Sequence, residues 1–196
     1  MKKYLKMMFY AVLAGSMTMF TACGDEEEDG ADVRDAAVGT YVGTDGQIYG
    51  LTDDNQLEVI QFDEETIDTT GEETLITVAK GSASNSIDIT IDSSTFTCNN
   101  IKGNSAGFTF DIAPMTIEVL GGTIEGFDAI SVGSNKYNGA FFASTNEIQY
   151  AIKIPTNLFA QSFTGGETPD SLATALIQGL FGDYDNIVIT MKAEKK

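Results

Sequence analysis

From Val38 onward the chain is written in short runs in which large apolar residues alternate with polar ones, broken by Gly, Asn, Asp and Ser. Ile87, Ile89 and Ile91 alternate with Asp88 and Thr90, and Phe108, Phe110 and Ile112 repeat the pattern, as do Ile148, Tyr150, Ile152 and Ile154. A period of two puts the large residues of each run on one face of a strand, so that one side packs and the other meets water. Strands are expected near 39–51, 56–62, 74–79, 86–91, 95–101, 107–112, 115–120, 123–132, 137–144, 147–154 and 186–193. Gly103 to Gly107, Gly121-Gly122 and Thr145-Asn146 read as the connections between them. The pattern is that of an all-β, antiparallel domain. Periodicity does not distinguish a closed barrel from a two-sheet β-sandwich, so both stand at this point.

One segment departs from the period of two. Thr168-Pro169-Asp170 has the composition of a helix start: Thr168 can cap, Pro169 suits the first helical position, and Asp170 favours the positive end. Leu172, Leu176, Ile177, Leu180 and Phe181 then recur at helical spacing until Gly182. A short helix before the last strand is expected, its apolar stripe packed on the sheet.

The first 36 residues follow neither pattern. Lys2, Lys3 and Lys6 precede a sixteen-residue uncharged apolar run, Met7 to Ala22. A membrane-spanning helix needs roughly 20 such residues, so this run suits the core of an export signal. It ends at Phe20-Thr21-Ala22-Cys23, and Gly24 leads into Asp25-Glu26-Glu27-Glu28-Asp29. Residues 23–36 show no hydrophobic periodicity and are expected to form an acidic, extended tether, because like charges repel. The organisation read from the sequence is a signal peptide over 1–22, a tether over 23–36 and one domain over 37–196.

Phe20-Thr21-Ala22-Cys23 after such a leader resembles a bacterial lipoprotein signal with its lipobox, Phe20 standing where an aliphatic residue is commoner. The acids Asp25, Glu26, Glu27, Glu28 and Asp29 resemble the stretch that in Bacteroidetes lipoproteins directs export to the outer face of the outer membrane. The resemblance implies that Cys23 becomes the first mature residue and carries acyl chains into the outer membrane. Cell-surface exposure follows from it, with the periplasmic face as the alternative. Gly39-Thr40-Tyr41-Val42-Gly43, the strand pattern and the closing order of hairpin, helix and final strand resemble the calycin-like, lipocalin-like β-barrel lipoproteins of gut Bacteroidetes, many of unknown function. That likeness implies a barrel able to hold a small apolar or amphipathic ligand. Tyr41, Tyr49, Tyr137 and Tyr150 are the candidate pocket tyrosines, with hydroxyls to orient such a ligand. The alternative is a surface adhesion or accessory subunit with a filled barrel that works through protein contacts.

Charge and chemistry narrow the function further. Without residues 1–22 the chain has 174 residues, with 8 basic against 29 acidic side chains, a formal charge of −21. Such a surface repels nucleic acid phosphates. Histidine is absent, which removes the usual general base and the Ser-His and Cys-His pairs that activate nucleophiles. No phosphate loop or dinucleotide fingerprint occurs, so no catalytic residues and no cofactor are expected. Carboxylate pairs remain as the only enzymatic chemistry. Asp53-Asp54-Asn55 and Asp183-Tyr184-Asp185-Asn186 offer oxygen ligands in loops, yet such clusters more often bond their own backbone in turns, and no metal site is assigned. Cys98 shares a face with Phe96 and is expected to pack as a small hydrophobe.

Overall fold

The structure, a computed structural model, describes residues 32–60, 74–91, 94–117, 122–159, 179 and 181–196. A 3-10 turn, Val33–Ala36, is followed by β1 (Gly39–Leu51), β2 (Leu57–Val59), β3 (Leu75–Lys80), β4 (Ile87–Ile91), β5 (Ser94–Asn104), β6 (Gly107–Ile112), β7 (Met115–Ile117) and β8 (Gly122–Gly126). Then come β9 (Ile130–Val132), β10 (Asn135–Tyr137), β11 (Gly139–Phe142), β12 (Glu147–Pro155) and β13 (Asn186–Lys195).

Eight of these strands close a barrel in the order β1, β3, β4, β5, β6, β11, β12, β13 and back to β1. Neighbours follow chain order and all pair antiparallel, so the barrel is an up-and-down meander that leaves no free edge among those eight. The fold is the all-β, calycin-like barrel expected from the sequence, and the sandwich alternative is set aside by the β11–β12 and β1–β13 pairings that close the ring. Closure asks the wall to bend, and register shifts between Gly43 and Asp45 and between Asn99 and Lys102 supply irregularities of the kind that do this.

The alternation seen in the sequence sorts the wall into a lumen face and an outer face. Tyr41, Ile76, Ile87, Cys98, Phe110, Phe141, Ile148 and Ile187, one from each barrel strand, are at most 1 % exposed and belong to one cluster. Each fully buried Ile or Phe contributes about 1.5–3 kcal/mol relative to leaving it exposed. A second cluster lies on the outer face of β1, β11, β12 and β13, where Leu51, Ala140, Phe142, Ala151 and Val188 are covered by Ile130 and by Phe127, Ala129 and Val132 of the β9–β10 excursion. That part of the wall is therefore apolar on both faces.

Three boundaries differ from the expectation, one of them in the strand expected over 137–144: Tyr137 pairs with Ile130 in β10, and the wall strand β11 begins at Gly139. The single strand expected over 123–132 is two, β8 and β9, because the chain turns away at 127–129: the Phe127 amide donates to Ala151 and the Ala129 amide to Phe127. The tether expected over 23–36 ends earlier, since residues 32–36 form a docked turn. This turn is held by polar bonds rather than an apolar stripe, so it leaves no hydrophobic periodicity to read. Of the expected helix, residues 168–178 and 180 lie outside the described residues; 179 and 181 are helical, as are residues 156–159. Cys23, the acids Asp25 to Asp29 and residues 61–73 also lie outside them.

Candidate functional site

Strand directions give the barrel two ends. The base carries the start of β1, the end of β13 (Tyr41 faces Lys195) and the connections 81–86, 105–106 and 143–146. The rim carries the end of β1, where Leu51 faces Asn186, and the departures of residues 52–56, 113–138 and 156–185. The connections 81–86, 105–106 and 143–146 at the base are short, whereas the excursions 113–138 and 156–185 leave from the rim.

The base is closed by the 3-10 turn. Asp32 caps it, its carboxylate accepting from the Arg34 amide at 3.0 Å and the Arg34 Nε at 2.8 Å. The same guanidinium donates Nη1 to the carbonyls of Ala83 (2.6 Å) and Ser86 (3.1 Å), which fastens the turn to the β3–β4 connection. Lys80 bridges Asp32 at 3.1 Å and Asp35 at 2.6 Å. Arg34 holds the Asp32 carboxyl well below the usual carboxylate range, helped by the Arg34 amide and Lys80 and opposed by partial burial. Lys195 Nζ donates to the Ala36 carbonyl at 3.0 Å, and Tyr41 Oη donates to the buried Ala37 carbonyl at 2.7 Å. Burial pushes the Tyr41 phenol up to about 12. The sequence marks Arg34 only as the first basic residue after Lys6, standing among acids.

The rim is filled by Leu158, Phe159 and Phe181, all buried in the lumen cluster, with Phe159 and Phe181 edge-to-face at 5.1 Å between centroids. Tyr184 lies over Gly50, where a Cβ would collide with its ring. Its hydroxyl donates to Glu58 at 2.7 Å, and Thr156 Oγ1 donates to its carbonyl at 2.6 Å. That ring is the reason β1 has glycine at this position.

Between the two closures lies the polar content of the lumen. Tyr150, from β12, is buried, and its hydroxyl has no hydrogen-bond partner. Gly139 faces Tyr150 across the β11–β12 pair, and a Cβ there would collide with the Phe110 ring. Cys98 is a free, buried thiol that donates to the Phe96 carbonyl at 3.8 Å. Burial pushes both groups up, with Asp88 adding to the effect at Cys98 and Cys98 to that at Tyr150. Both keep their protons at neutral pH, and Cys98 packs among apolar residues as expected.

The four candidate tyrosines are not brought together. Tyr41 and Tyr150 belong to the lumen, the first serving the base closure and the second unpartnered. Tyr49 packs against the outer cluster, and Tyr137 sits at the end of β10 in the excursion outside the barrel. Alternation tells inside from outside correctly for Tyr150; at Tyr137 the chain has left the wall, which no local pattern marks. Residues 52–56 form a turn in which Asn55 is left-handed and its amide donates to the Thr52 carbonyl. Among the described residues no group of three or more His, Cys, Asp or Glu is placed to hold a metal ion. The sequence matches no protein-family profile, and no curated protein matches it.

Proposed function

We propose that this chain is a lipid-anchored, surface-displayed outer-membrane protein without catalytic activity, whose barrel is a solid body that works through contacts made by its exterior and rim. The observation that carries the mode of action is the packing of the lumen. Every barrel strand contributes a lumen side chain at most 1 % exposed, so these side chains border no space large enough for water. An eight-stranded barrel is just wide enough to be filled in this way. The anchor reading rests on the leader, on Cys23 and on the acids that follow it. Two or more acyl chains at one residue suffice for stable attachment.

A second reading, a small apolar or amphipathic ligand inside the barrel, is favoured by the unpartnered Tyr150 hydroxyl. A buried donor without an acceptor costs about 1–3 kcal/mol, and a ligand acceptor would relieve it. Native mass spectrometry of the protein taken from its own cells separates the two. A mass equal to the acylated chain alone is expected; a co-purifying small molecule would transfer the function to the lumen. Cys23→Ala is expected to abolish acyl labelling and to release the protein from membranes, and membrane retention of that variant would sink the anchor.

A further inference from the structure

The excursion 113–138 rejoins the wall at Asn138, where one residue makes three polar bonds. Its carbonyl accepts from the Ala151 amide at 2.8 Å, its Oδ1 accepts from the Ile112 amide at 3.1 Å, and its Nδ2 donates to Asp128 Oδ1 at 2.7 Å. The end of β6, the middle of β12 and the turn between β8 and β9 are thereby joined. A carboxamide suits this place because it accepts at one atom and donates at the other; a carboxylate here could accept from Ile112 but would face Asp128 with no donor. The side chain also lies over Gly126 of β8, where a Cβ would collide with it. The next residue is glycine for a separate reason, since a Cβ at Gly139 would collide with the Phe110 ring. Packing therefore sets Asn beside Gly at 138–139, and the sequence contains that pair nowhere else.

Asn-Gly is chemically the most labile setting for an asparagine, because glycine shields its own amide least. The Gly139 nitrogen attacks Asn138 Cγ, the new C–N bond closes a cyclic imide, and Nδ2 leaves as ammonia, taking the proton of the Gly139 amide. Water then opens either imide carbonyl to give aspartate or isoaspartate, so the net change consumes a water and releases an ammonia. In the folded chain both reacting groups are restrained. Asp128 holds Nδ2, and Gly139 is fixed in β11 between Phe110 of β6 and Tyr150 of β12. Reaction therefore requires the junction to open first, and its products do not reclose it. Either product brings a carboxylate opposite Asp128 in place of the Nδ2 donor, and like charges repel. Isoaspartate in addition lengthens the backbone just before β11. The segment released is the one whose Ile130, with Phe127, covers Phe142 and Val188 on the outer face of the wall.

We propose that Asn138 is a deamidation site guarded by the fold, and that its conversion is a one-way latch: a molecule whose excursion has opened is marked there and keeps its outer apolar cluster uncovered. The latch depends neither on the anchor nor on the mode of action proposed above. The test follows deamidation by peptide mapping of the whole chain, native and in concentrated urea, with the exposed Asn104, which precedes Ser105, as internal reference. In urea Asn138 is expected to react first. In the native protein its rate relative to Asn104 should fall at least ~10-fold, since only the opened fraction reacts. Asp128→Ala, at an exposed position, should raise the native rate about fivefold, the effect of one net hydrogen bond. Asp128→Asn keeps an acceptor and should leave that rate near the original. The deamidated fraction, separated by its added negative charge, should exchange the amides of residues 127–137 faster than the unreacted fraction, with β3 to β5 unchanged. An equal rate ratio in both states, or a native rate indifferent to Asp128→Ala, overturns the guard. Deamidated protein that protects residues 127–137 as well as the unreacted chain overturns the latch.

Discussion

The two ends of the barrel solve the same problem with different chemistry. The base is shut by a four-residue turn that brings almost no apolar bulk, and Arg34, Lys195 and Tyr41 tie it down through backbone carbonyls. The rim is shut by aromatic and aliphatic mass, Leu158, Phe159 and Phe181, with one phenol bonded to Glu58. Directional bonds fix a geometry, which suits a short turn fastened at one place on the connection 81–86. Apolar packing stabilises without fixing direction, which suits an end built from long excursions. The rim cap is thus part of the core, whereas the base turn is a clasp added to a core already complete.

Phe181→Ala probes that distinction most strongly. If the cap is part of the core, the loss is about 3–5 kcal/mol, read as a lower urea midpoint for the whole domain. An unchanged global midpoint with only local opening would make the cap a separable lid.

The two lumen tyrosines give the next largest effects, with opposite signs for one chemical change. Tyr41→Phe takes the donor from the buried Ala37 carbonyl and is expected to cost about 1–3 kcal/mol. Tyr150→Phe removes a hydroxyl that has no partner and is expected to stabilise by about 1 kcal/mol. The same urea titrations read both. Destabilisation by Tyr150→Phe would show that its hydroxyl has an acceptor in solution.

The smallest effect belongs to the clasp, whose ion pairs are open to solvent. The Asp32 pKa is depressed, chiefly by Arg34, so its contribution is complete above the unfolded value of about 4 and is lost as pH falls through the folded one. Amide protection over residues 33–37 should therefore fall in acid, while the strands of the lumen keep theirs. Asp32→Asn should lower that protection at pH 6 and remove its acid dependence. Equal protection factors in both proteins at pH 6 would count against the clasp.

Much of this architecture is legible in the amino-acid pattern. Ile87–Ile91, Phe108–Ile112 and Ile148–Ile154 all face the lumen as their alternation requires, and Cys98 packs beside Phe96. The base turn is not legible there, because Arg34 acts through single polar bonds to residues about fifty positions away, and no periodicity accompanies such bonds. Nor is the grouping of the tyrosines. Tyr49 and Tyr150 both sit on alternating strands, but which side of each strand becomes the lumen depends on how the ring closes.

Alone, the sequence establishes the all-β class: period-two runs of β-branched and aromatic residues can bury one face only in a sheet. Tertiary structure settles that the sheet closes on itself, that every barrel strand sends a side chain into one buried cluster, and that the turn at residues 33–36 docks on the connection 81–86. Those outcomes depend on pairings between the first and last strands and between distant loops. Each local segment is compatible with several such pairings, and only packing of the whole selects among them.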